Sequence, residues 1–502
     1  MDKPVTYYQS EETSAMEEKL TESIGNVEIR QFSSGPRLRE KAKKKTGQFQ
    51  QYLAAVVVCL MAFILGTVIG WTAPVLLTLQ SDESPVGKMT DEETSWLGSQ
   101  MFLGGIVGTL FWGRIADGFG RKAAGYSVAA IFILGWGLII VATKSALLYV
   151  ARFLSGLSGS GALILCPLYV SEIAQDSIRG ALGSCTILFM NGGIVTAYVV
   201  GAATDFTVFT AVCLAVPILF AVLFFFLPET PSYLFGKGWA DEAEASLLWF
   251  RGGDHDSVQD EMGKFSRNGK TRENTTYRML VADRGRRRAM VIGLGLFTWQ
   301  QFCGILALLT FTTTIFAASG SSLGASKATI TVGLFQLFGS CVSSVIVDRS
   351  GRRILLLISY TFMGVSLSLL SLYFYALSVK FDVSRFNWLP VICLSVHVVA
   401  YALGAGPVPY VVMSDTLAPE IRGLATSVII LWGMIFSFMS VQIFPFLVTT
   451  IGSHGSFLFF AGFCFVGVVF TWALVPETKG VPLEQVLARL NRKPAIRTSV
   501  EV

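Results

Sequence analysis

The chain has 502 residues, of which 52% are hydrophobic and only 15% charged. A soluble protein of this size carries about a quarter charged residues, so the composition argues against a soluble fold. The net charge of +5 is explained below by topology and gives no reason to expect nucleic acid.

Residues 1–50 read as a polar tail of mixed charge without the pattern of a cleavable signal peptide. The first apolar segment is therefore expected to act as its own insertion signal. Residues 51–227 contain six apolar segments centred near 66, 105, 134, 158, 191 and 217. Residues 228–288 form a polar linker, in which Asp241 to Leu248 reads as an amphipathic helix. Six more segments fill residues 289–475, centred near 301, 338, 365, 401, 435 and 466, and 476–502 is a short tail. Two stretches, 289–326 and 423–476, contain no Asp, Glu, Lys or Arg. About 20 apolar residues cross a bilayer core, and in lipid they must be helical to satisfy the backbone. The second stretch is long enough for two crossings, with a break expected at Gly452-Ser453-His454-Gly455.

Orientation follows from the basic residues. With the N-terminus in the cytoplasm, that side receives all but six of the 39 Lys and Arg. The six are Lys88, Lys144, Arg152, Lys327, Lys380 and Arg385. Both termini are expected to be cytoplasmic. Asn274-Thr275-Thr276 fits a glycosylation sequon but falls in the cytoplasmic linker, where it should be silent. The eight Cys show no paired spacing, and there is no metal, nucleotide or protease motif. No cofactor or metal is expected, and an enzyme has no support.

The two halves repeat one another. Asp117-Gly118-Phe119-Gly120-Arg121-Lys122 is matched by Asp348-Arg349-Ser350-Gly351-Arg352-Arg353. Glu172 precedes Arg179-Gly180 by seven residues, as Asp415 precedes Arg422-Gly423. Pro228-Glu229-Thr230 is matched by Pro476-Glu477-Thr478. Three matched pairs in one order imply a six-span unit repeated in parallel.

These motifs, with Gly113-Arg114, Gln300-Gln301-Phe302-Cys303-Gly304 and Gly406-Pro407-Val408-Pro409-Tyr410, resemble the sugar porter family of the major facilitator superfamily. Pro419-Glu420-Ile421-Arg422-Gly423 further resembles the arthropod facilitated trehalose transporters. The resemblance implies an all-α membrane protein of twelve spans in two six-helix bundles, joined by a cytoplasmic helical linker. It implies a conformational latch at Arg114, Asp117, Arg121, Glu172, Arg179, Glu229, Asp348, Arg352, Arg353, Asp415, Arg422 and Glu477. Carboxylates suit helix N-termini and guanidiniums C-termini. A bidentate Arg can also bridge to the other half in one state and release in another. The bland alternative is that these charges only mark topology.

The same resemblance places substrate contacts at Gln300, Gln301, Gln336, Tyr410 and Trp432. The alternative for the two adjacent glutamines is hydrogen bonding between helices. Four common polar contacts are replaced by Ile187, Leu306, Ala402 and Leu431. Asn191, Thr310, Thr312 and Thr313 could supply a rebuilt pocket. Arg152 is expected to have a structural role, snorkelling outward, with a functional intramembrane charge as the alternative. His397 is expected to be a hydrogen-bonded packing residue rather than a proton carrier. The resemblance implies a carboxylate in span one of proton-coupled members, and Leu65 to Trp71 carries none, which favours passive uniport. The expected function is facilitated transport of a sugar, trehalose or a hexose, across the plasma membrane. A carrier of another small organic solute and a non-transporting sensor are the rivals.

Overall fold

The computed structural model describes residues 48–175, 177–268, 277–347 and 349–491. Asp348, the sequon at 274–276 and most of both tails lie outside the described residues.

Among the described residues, ten helices are long and apolar enough to cross a membrane. One of them, Arg422–Leu474, is two crossings, because Gly452 takes φ 76° and ψ 167° and turns the chain back. The remaining crossing is Asp91–Thr109, whose first turn carries Asp91, Glu92 and Glu93 and lowers its hydropathy. Twelve spans result. Spans 1 to 6 are Gln48–Leu79, Asp91–Thr109, Arg121–Ile140, Ser145–Ile173, Arg179–Ala203 and Phe206–Phe225. Spans 7 to 10 are Arg284–Ser319, Ala325–Ile346, Arg352–Ser378 and Ser384–Thr416. Spans 11 and 12 are the two arms around Gly452.

Two spans are interrupted at mid-depth. Span 7 breaks at Cys303-Gly304, where Gly304 takes φ 85° and the helix restarts at Ile305. Span 10 widens into a π-turn at Tyr401–Ala405, followed by Pro407, which has no N–H to continue the ladder. Elsewhere small residues bring spans together. A Cβ on Gly156 would lie 1.7 Å from Met101 O, and one on Gly104 1.9 Å from Phe153 O. Spans 2 and 4 thus touch backbone to backbone, which only glycine allows.

Between the halves lie helices Pro231–Gly236, Ala240–Phe250 and His255–Asn268. The middle one covers the expected amphipathic segment and buries Ala243, Ser246, Leu247 and Phe250. It docks on the first half. Gln51 Nε2 donates to Phe250 O at 3.1 Å, and Arg251 Nη1 to Ile173 O at 2.9 Å. The end of the molecule carrying these helices is here called the linker face.

The halves meet along spans 1 and 7, 2 and 11, and 5 and 8. Hydrogen bonds between them run from Ser99 Oγ to Gln442 Oε1 at 2.7 Å and from Tyr198 OH to Leu309 O at 3.2 Å. By span direction both lie on the side away from the linker face.

Arg152 departs from the sequence expectation. It is 1% exposed and turns inward instead of snorkelling. Nη1 donates to Val68 O at 2.7 Å, Nη2 to Thr72 Oγ1 at 2.8 Å and Nε to Leu97 O at 3.4 Å. The guanidinium also lies 5.6 Å from the Trp71 ring centroid. A fork of five donors finds acceptors on spans 1 and 2 at once, so it has no need of the interface. His397 is fully buried, as a packing residue should be, but neither ring nitrogen makes a hydrogen bond of ordinary geometry.

Candidate substrate site and conformational latch

The polar residues at mid-depth form two clusters. In the first, Gln300 Nε2 donates to Ala405 O and Gly406 O, both at 2.8 Å. These are carbonyls freed where span 10 is interrupted. Gln301 Nε2 donates to Gln300 Oε1 at 3.3 Å, and Ser440 Oγ donates to Gln301 O at 3.0 Å. Gln300 therefore acts as the bond between helices that the sequence left as an alternative. Gln301 Oε1 is buried and has no partner among the described residues.

The second cluster crosses between the halves. Gln336 Nε2 donates to Asn191 Oδ1 at 3.0 Å, and Asn191 Nδ2 donates to Ser340 Oγ at 2.6 Å. Gln336 Oε1 is likewise buried without a partner among the described residues. Two carboxamide oxygens at mid-depth are thus left able to accept from a hydroxyl. Of the other residues expected for a rebuilt pocket, Thr313 shares a hydrogen bond of 3.1 Å with Thr329 of span 8. Thr310 and Thr312 are also buried, with the Thr312 hydroxyl on Leu308 O.

Tyr410 and Trp432 stand apart from these glutamines, both on the linker-face side. The Tyr410 ring meets Phe297 edge-on at 4.9 Å. Trp432 Nε1 donates to Thr298 Oγ1 at 2.9 Å, and its ring lies 4.8 Å from Phe436. Both rings are exposed, at 44% and 38%, as is Ile187 at 39%. Leu306 and Leu431 are half-buried, and Ala402 packs against Gly339. Phe297, Phe436, Tyr198 and Ser440 were not singled out by sequence. Their mid-span position was a signal too general to separate them from other core residues.

The latch motifs form two similar structures, one per half. Glu229 Oε2 accepts from Lys122 N at 2.8 Å at the start of span 3. Glu477 accepts from Arg352 N at 3.0 Å and Arg353 N at 3.2 Å at the start of span 9. Each carboxylate sits at a helix N-terminus, where orphan amides and the dipole favour it. Gly120 and Gly351 make room: a Cβ on either would lie 2.5 Å from the glutamate oxygen. Arg179 Nη2 and Arg422 Nη2 each donate to a carbonyl five residues back, Ala174 O at 3.4 Å and Leu417 O at 3.3 Å.

Arg121 is the tightest member. Nε and Nη2 grip Glu172 at 2.9 and 2.6 Å, and Asp117 lies 3.4 Å from Nη1. The equivalent pair, Arg352 with Asp415, is looser at 4.0 Å, and Asp415 accepts from Thr478 Oγ1 at 2.8 Å. Both pairs join residues of the same half, rather than bridging the two. Tyr233 lies under Arg121, 5.3 Å from ring centroid to guanidinium. Its phenol is pushed above the usual range by burial and then by Glu229, with Arg121 opposing. Arg114 is exposed at the same face. A link missed from sequence is Arg251, which grips Glu261 through two bonds of 2.8 Å and anchors the linker.

With this geometry in place, the relatives can be compared. A family described as sugar (and other) transporter matches residues 50–489. The chain belongs to that family. It is 34% identical over 453 residues to a facilitated trehalose transporter of Anopheles gambiae, covering 90% of this chain and 57% of the relative. It is 33% identical over 441 residues to one of Culex quinquefasciatus, covering 87% and 85%. The chain thus spans about half the length of several relatives it matches. Among solved structures, the inward-open xylose transporter XylE from E. coli superposes with a TM-score of 0.75 at 20% identity, over 88% of this chain and 99% of that one. XylE bound to 6-bromo-6-deoxy-D-glucose gives 0.68 at 23% identity, over 87% and 99%. The fold is the major facilitator fold, and this member of the family is a multi-pass membrane protein.

Proposed function

We propose that the chain carries a sugar, trehalose or a hexose, down its gradient across the plasma membrane. The linker face and both termini would lie in the cytoplasm, where the basic residues concentrate. The carrying observation is the pair of buried, partnerless carboxamide oxygens of Gln301 and Gln336 at mid-depth, in a chain whose relatives bear the name facilitated trehalose transporter. Asn191 orients Gln336, Gln300 orients Gln301, and Tyr410 and Trp432 offer ring faces on the path toward the linker face.

Transport proceeds by alternating access, the two six-span bundles rocking about this level. The exposure of Ile187, Tyr410 and Trp432 supports reading this state as open toward the linker face. The two cross-half bonds of Ser99 and Tyr198 hold the opposite side closed, while Arg121 and Arg352 stay paired within their own halves. In the opposite state the latch residues Arg114, Asp117, Arg121, Glu172, Arg179, Glu229, Asp348, Arg352, Arg353, Asp415, Arg422 and Glu477 draw the bundles together. Among the described residues no Asp or Glu is buried within a span, which supports uniport without ion coupling. The test is equilibration of labelled trehalose and hexoses into proteoliposomes. Failure of every sugar on the panel to enter faster than into empty vesicles would refute the reading.

A second reading, a less polar organic solute, is favoured by Ile187, Leu306, Ala402 and Leu431 standing where sugar contacts are common. Uptake of polyols or other neutral solutes with no sugar uptake would select it.

A further inference from the structure

A ring of arginines surrounds a cavity of about 820 Å³ at the linker face of the second half. Arg284, Arg287 and Arg288 come from the start of span 7, Arg353 from the start of span 9 and Arg489 from the helix Leu483–Asn491. Among the described residues no Asp or Glu lines it. The nearby carboxylates of Asp283 and Glu420 are held by Arg286, at 3.1 and 3.0 Å, outside the cavity. Several of the lining guanidiniums rest on carbonyls. Arg288 Nη1 donates to Leu490 O at 2.9 Å, and Arg353 Nη2 to Trp472 O at 2.5 Å. Arg353 Nε is buried without a partner. The remaining wall is apolar: Val291, Trp472 and Leu474 are exposed on the flank of spans 7 and 12.

We propose that this cavity holds an anionic phospholipid of the adjoining leaflet. Guanidinium forks match phosphate oxygens, and lipid headgroups bind basic pockets between spans in this way. The acyl chains would run along Val291, Trp472 and Leu474, with the Trp472 ring at headgroup level. A soluble polyanion would gain nothing from that flank. The occupant would tie the helix Leu483–Asn491 to span 7 and lie beside the Glu477 cap of span 9.

Native mass spectrometry of the full chain in neutral detergent, with phosphatidylinositol 4-phosphate and phosphatidylcholine as probes, tests this. The wild type should retain the phosphorylated lipid over the neutral one. Arg284→Gln/Arg287→Gln/Arg489→Gln, all exposed positions, should weaken that retention on the order of 100-fold. Lys237→Gln/Lys264→Gln, exposed on the linker and away from the cavity, should leave it unchanged. Equal retention by the triple variant, or equal loss in the double variant, would overturn the site. Displacement of the lipid by soluble inositol 1,4-bisphosphate at matched concentration would overturn the lipid as occupant.

Discussion

At the residue scale, a side chain's value depends on which of its hydrogen-bonding atoms the fold has already engaged. Gln300 and Gln301 are neighbours of the same type, yet Gln300 is fully occupied by span 10 and by Gln301, while Gln301 keeps a buried acceptor. Gln301→Leu should therefore lower sugar uptake about 5- to 150-fold with surface expression unchanged, the loss of one bond in a desolvated site being about 1–3 kcal/mol. Uptake by surface-expressed protein in oocytes checks it, and wild-type uptake would remove Gln301 from the site. Leu306→Asn discriminates between substrates. It should raise hexose uptake if the pocket takes a polar sugar, and lower transport if the natural solute is less polar. Arg152 gives a stability prediction. Because it joins spans 1 and 2 through separate donors, Arg152→Lys should melt at lower temperature in detergent than the wild type despite its conserved charge. Equal melting temperatures would mean that the fork geometry does not matter.

At the element scale, the proposed latch lies at the paired helix starts of spans 3 and 9. Glu229 and Glu477 serve as caps, a role worth about 0.5–2 kcal/mol each, whereas the Arg121–Glu172 grip is the part that a change of state can rearrange. Arg121→Ala and Glu172→Ala should accordingly slow turnover more than they weaken substrate binding, since losing state-specific contacts shifts the conformational equilibrium. Comparing binding affinity with transport rate on the same preparation separates the two. A fall in binding with turnover of the bound form unchanged would show that these residues do not act as a latch. Much of this arrangement was legible in the sequence, because Asp-x-x-Gly-Arg at 117–121 and 348–352 and the Glu of Pro-Glu-Thr at 228–230 and 476–478 recur in the two halves in the same order. The partner of each Arg was not legible. A guanidinium chooses among carboxylates by distance, and Glu172 is 51 positions from Arg121.

At the scale of the whole molecule, the prediction is of orientation and coupling. Tags at both termini and in the segment 228–288 should be inaccessible from outside intact cells. Transport should equilibrate, with no accumulation that a protonophore collapses. An external tag signal at any of these sites, or protonophore-sensitive accumulation, would reverse the corresponding proposal. The number of crossings, the turn at Gly452, the family and the internal repeat can be read along the chain. These depend on hydropathy and local motifs, which are properties of contiguous residues. Helix packing, in contrast, sets that Arg152 points inward, that Gln300 is engaged while Gln301 and Gln336 keep free acceptors, that Arg121 pairs within its own half, and that arginines from three elements surround one cavity. Each of those outcomes depends on which acceptors lie within about 3 Å. That distance is set by how the helices pack, which no local stretch of sequence encodes.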